Sequence, residues 1–135
     1  MARVSDQLGI HWLIFGLFAQ FPVGSTPPIA LSRLHAAIKE IRDRHPNLFR
    51  GLAFSTDPTP WSKTLETTLF VLGHSREVPQ SIRGELTIRQ ELAEEFQKLH
   101  ATKFTPEELA IIQKEGRALG RRVMAGELSP DWAKR

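Results

Sequence analysis

LGIHWLIFGLFAQFPV, residues 8–23, is the most apolar run in this chain of 135 residues, and its reading decides the fold. Leu8, Ile10, Trp12, Leu13, Ile14, Phe15, Leu17, Phe18 and Phe21 crowd into fourteen consecutive positions. At 100° per residue these side chains point in all directions, and a helix that is apolar all round is buried on every side, in a core or in a bilayer. A spanning helix needs about 20 predominantly apolar residues. This run is shorter, carries His11 and Gln20, and has only Arg3 as positive charge ahead of it, with Asp6 close by. No convincing small-x-small cleavage site follows. The run therefore predicts a buried core helix over 6–20, capped by Ser5. Membrane anchorage through residues 8–23 is the alternative.

Outward from this stretch, the chain reads as one-faced helices that wrap around it. Pro22, Gly24, Pro27 and Pro28 turn the chain, and Thr26-Pro27 signals a second helix over 28–44. Leu31, Leu34, Ile38 and Ile41 form its apolar face, and Glu40–Arg44 and Lys39–Asp43 stand at i,i+4 as favourable charge pairs. His45-Pro46 ends it, with His45 tucked against the core and bonded to a carbonyl. Leu48, Phe49 and Leu52 suggest one or two helical turns. Thr59-Pro60 opens a third helix to Leu72 that buries Trp61, Leu65, Leu69 and Leu72, with Gly73 just past its end.

Thr87 with Gln90 reads as a capping box for a fourth helix over 88–101, striped by Ile88, Leu92, Phe96 and Leu99. Thr105-Pro106-Glu107-Glu108 is the best helix start in the sequence, combining a cap, a proline at the first position and a glutamate that closes the box. The fifth helix runs to about Ala125 on Leu109, Ile112, Leu119 and Val123, and Gly126 ends it. Ser129-Pro130-Asp131-Trp132 is a tail expected to pin Trp132 to the body. The expectation is an all-α single domain over 1–135, a bundle of about five helices around the apolar first one, with 1–5 and 127–135 as terminal segments.

The sequence names no chemistry. It has no cysteine, so disulfides, thiolate nucleophiles and cysteine metal sites are excluded. None of the five histidines stands four residues from another, and HExxH and Glu-x-x-His are both absent. There is no Gly-x-Ser-x-Gly elbow, Walker motif or Gly-x-Gly-x-x-Gly loop. Glu94-Glu95 and Glu107-Glu108 read as a solvated face and a dipole-matched first turn. His11, inside the apolar helix, needs a hydrogen-bond partner. No catalytic, cofactor-binding or metal-binding residue is assigned, and no cofactor is expected. An enzyme would require the loop residues His74, Arg76 and Arg83 to converge on a concave pocket.

A net charge of +3 and a pI near 9.7 permit an anionic partner without demanding one. The candidate residues are Lys114, Arg117 and Arg121, aligned at i, i+3 and i+7 opposite the apolar face of the last helix, with Arg122 beside them. Such a stripe can grip phosphates; the competing reading is a solvated face. A helix-turn-helix reading of the last two helices fails, because Glu107 and Glu108 occupy the turn that should read bases. Gly116 and Gly120 on the same helix favour a close helix–helix approach, within the domain or across a dimer. The sequence thus favours a non-enzymatic, cytoplasmic adaptor or small subunit of an assembly, with a protein partner or second copy expected. Nucleic-acid backbone is the further partner and the membrane the lesser one.

Overall fold

The computed structural model describes residues 7–55, 60–75 and 78–134. Helix α1 spans Gln7–Phe18, α2 Leu31–Arg44, α3 Lys63–Gly73, α4 Gln90–Glu95 and α5 Pro106–Met124. Two short strands, β1 (Gly24–Ser25) and β2 (Thr87–Ile88), pair antiparallel with Gly24 opposite Ile88. The domain is mainly α-helical, as the periodicities require.

Helix α1 is the core. Ile10, Leu13, Ile14, Leu17 and Phe18 are fully buried, and Trp12 and Phe15 pack at the margin. It runs along α5 in the same direction: Gly16 lies opposite Ile112, Leu17 and Gln20 opposite Gly116, and Phe21 opposite Gly120. A Cβ on Gly116 would stand 2.6 Å from the Leu17 carbonyl oxygen, so the two backbones approach as only glycine allows. The Gly116–Gly120 pair thus serves packing inside the domain. None of the described helices is long and apolar enough to cross a membrane.

Helix α2 lies antiparallel to α5 and is tied along its length to α5 and to the segment that follows it. The Ala30 amide donates to the Leu128 carbonyl, Arg33 bonds the Ser129 carbonyl and Asp131, Glu40 meets Arg122 at 3.2 Å, and Arg44 meets Glu115 at 2.8 Å. The tail is therefore held by buried Leu128 and Ser129 and by Arg33. Trp132 stays 51% exposed, with the Arg83 guanidinium 5.3 Å above its ring.

Several local signals yield to tertiary pairing. Helix α2 begins at Leu31 rather than Pro28, because residues before it are drawn into extended pairing: the Thr26 amide donates to Leu86 O and the Ile29 amide to Gly84 O. Thr87 is likewise taken by β2 and donates its amide to Pro79 O, so the expected capping box is not made and α4 starts at Gln90 without a side-chain cap. The fourth helix then widens into a π-helical turn over Phe96–His100 and tightens into a 3₁₀ turn over Ala101–Lys103. The Thr59-Pro60 start lies partly outside the described residues; α3 begins at Lys63, with Ser62 Oγ accepting the Leu65 amide at 3.2 Å. Trp61 precedes that helix, bridged to Ser55. Residues 45–52 form hydrogen-bonded turns, with Leu48, Phe49 and Leu52 buried.

Candidate nucleic-acid interface

Helix α5 owes its precision to its start. Thr105 Oγ1 accepts the Glu108 amide at 3.1 Å while Glu108 Oε1 accepts the Thr105 amide at 2.8 Å, the full capping box expected there. Its inner face buries Ile112, Gly116, Leu119, Gly120 and Val123. The opposite face carries Lys114, Arg117 and Arg121, all exposed. With Ala110 and Gln113 they line one shallow groove of about 280 Å³ that contains no acidic residue. None of the three cations makes an ion pair or side-chain hydrogen bond among the described residues. From Lys114 to Arg121 the helix rises about 10 Å.

Arg122 does not belong to this group. Its guanidinium bonds Glu40 at 3.2 Å and Glu127 at 3.3 Å, on the flank of α5 that faces α2. It lines a separate cleft of about 360 Å³ between the two helices, where Lys39 and Asp43 also neutralise each other.

Two turns before Arg122 on that flank, Glu115 is buried with its side chain only 7% exposed. Arg44 grips it with two nitrogens, at 3.0 and 2.8 Å, and His45 Nε2 donates to it at 2.6 Å. His45 thus finds a carboxylate where the sequence suggested a carbonyl. The Arg44 hydrogen bonds, helped by His45, hold the Glu115 carboxyl below the usual carboxylate range against the opposing effect of burial. The same contact raises the Arg44 guanidinium above its ordinary value. No local pattern marks this cluster, because Glu115 and Arg44 lie 71 residues apart.

The remaining candidates are dispersed. His74 Nδ1 donates to the Phe70 carbonyl at 2.9 Å, Arg83 lies over Trp132, and Arg76 falls outside the described residues. His11 is bonded as its position requires, to Thr68 Oγ1 at 3.1 Å. Among the described residues no group of three or more His, Asp or Glu side chains could hold a metal ion. No protein-family model, curated protein or solved structure matches this chain.

Proposed function

We propose that this protein is a non-enzymatic helical module, a small subunit or adaptor, that contacts nucleic-acid backbone through Lys114, Arg117 and Arg121. One observation carries the reading: three unpaired cations project from a single well-anchored helix into one groove free of acid. Their span of about 10 Å equals the axial rise of about three nucleotides of one strand. Nothing in the groove reads base edges, so contact of this kind positions without selecting sequence.

The test is binding of the full chain to random duplex DNA and single-stranded RNA as salt is raised from 50 to 200 mM. Three phosphate contacts predict a logarithmic slope of about −2 to −3 and a loss of affinity of about 20- to 40-fold over that interval. Lys114→Ala, Arg117→Ala and Arg121→Ala together should abolish binding while leaving the fold intact. Absence of binding at 50 mM salt, or undiminished binding by the triple variant, overturns the reading.

A second reading, contact with protein alone, is favoured by Phe70 and Val71, which stand 65% and 58% exposed side by side on α3. It predicts association that tolerates salt and is lost on Phe70→Ser. Anchorage through residues 8–23 would require withdrawing Ile10, Leu13, Ile14, Leu17 and Phe18 from the core.

A further inference from the structure

The buried imidazole of His35 sits where α2 meets the start of α3. Its ring has no exposed surface. It stacks flat on the Trp61 indole, centroids 3.7 Å apart at 6°, and meets the Phe54 ring edge-on. Its Nδ1 accepts the Ser62 backbone amide at 3.0 Å. That bond fixes the tautomer: an atom that accepts an N–H carries no proton, so the ring's one proton is on Nε2. Nε2 is buried and has no hydrogen-bond partner among the described residues.

Ser62 is also the cap of α3, its hydroxyl accepting the Leu65 amide. The neutral imidazole therefore holds the residue that starts the helix and, through stacking, the residue before it. A second proton can go only onto Nδ1. There it displaces the Ser62 amide, because two N–H groups cannot point at each other, and it places a cation in a site closed to water.

Of the charged groups around the ring, Glu66 on α3 favours the cation, but its carboxylate is engaged by the Trp61 indole N–H at 2.6 Å and by Lys63 at 3.6 Å. On α2, Arg42 lies over the Phe54 ring and is paired with Asp43. Among the described residues no carboxylate bonds the imidazole itself.

We propose that His35 is a proton-operated latch that, when neutral, holds Trp61 and the N-terminus of α3 against α2 and, when protonated, releases them. The direction of its titration agrees: burial lowers the affinity of this histidine for a proton below the ordinary value of 6.5, with Glu66 opposing only in part. The latch is fully closed above about 6.5, the midpoint of the released imidazole, and weakens as pH falls toward the lower midpoint of the closed form.

The test is amide hydrogen exchange of the full-length, ¹⁵N-labelled protein between pH 7.5 and 5, comparing Ser62 with Ile112 on α5. The Ser62 protection factor should fall as pH drops below 6.5, with a limiting slope of about tenfold per pH unit, while that of Ile112 holds. His35→Asn, which sets a carbonyl oxygen where Nδ1 stands and cannot titrate, should remove the dependence; Glu66→Gln should preserve it. Constant Ser62 protection in the native protein, or an equal fall in His35→Asn, overturns the proposal. Should His35→Asn fail to fold, the His35 Hε1 resonance in the native protein decides. A ring that titrates together with the Ser62 amide supports the latch, and one that titrates without moving it refutes it.

Discussion

Arg121 and Arg122 are neighbours on α5, yet among the described residues Arg122 is held by two carboxylates and Arg121 by none. The same contrast separates Glu115, buried under Arg44 and His45, from exposed Lys114 beside it. One helix thus has an inner side and flank where Glu115, Arg122, Gly116 and Gly120 each meet a fixed partner, and an outer side where three cations have none among the described residues. Charges that hold the fold are settled by residues far along the chain; charges left over are the ones available to a partner. Proximity in sequence does not assign a residue to either group, but a turn of 100° does.

The largest effect that could break this division comes from Gly116→Ala. The new Cβ meets the Leu17 backbone, which cannot yield, and stability should fall by about 2–3 kcal/mol. Gly120→Ala meets the Phe21 ring at 3.1 Å, which can turn aside, and the gain in helix propensity of about 1 kcal/mol leaves the change near neutral. Urea unfolding midpoints measure both, and equal losses would mean that the inner seam is not tight at Gly116.

Next comes Arg44→Ala, which leaves the buried Glu115 carboxylate with His45 alone and should cost about 1–3 kcal/mol at neutral pH. Because the Glu115 carboxyl is held below its ordinary value of 4.5, its contribution is complete above about that pH. It is lost as pH falls through the depressed midpoint. Unfolding free energies between pH 6 and 3 should show this acid limb in the native protein and a flatter one in Arg44→Ala.

The smallest effects sharpen the contrast most. Arg122→Ala should lower stability by up to about 1 kcal/mol and leave nucleic-acid affinity nearly unchanged. Arg121→Ala should stay within about 0.5 kcal/mol in stability and reduce the salt slope of binding by about one. A reversed pattern, with Arg122 governing binding, would exchange the roles of the two residues.

What was legible in the sequence follows the range of the forces involved. The α5 capping box closes within four residues, so Thr105 to Glu108 could be read directly. The unbroken apolar run identified α1 as the core, and the i, i+3, i+7 spacing correctly put Lys114, Arg117 and Arg121 on one outer face. Arg122 stands apart from that group because its partner Glu40 lies 82 residues away. The expected Glu40–Arg44 pair fails for the same reason, each partner finding a better one on α5, while the local Lys39–Asp43 pair forms at 2.8 Å. The one local sign of His35 is its spacing, four residues after Leu31 and three before Ile38. The buried face of α2 turns toward it and leaves Leu31 43% exposed.

The parallel seam between α1 and α5 also has a consequence in time. The residues that cover Gly16, Leu17 and Phe21 are synthesised about a hundred positions later. At roughly 5–20 residues per second, the ribosome takes about 5–20 s to supply them. For that interval the most apolar segment of the protein is finished and without its principal cover. A nascent chain halted before α5 lacks the helix that covers Gly16, Leu17 and Phe21 in the finished fold.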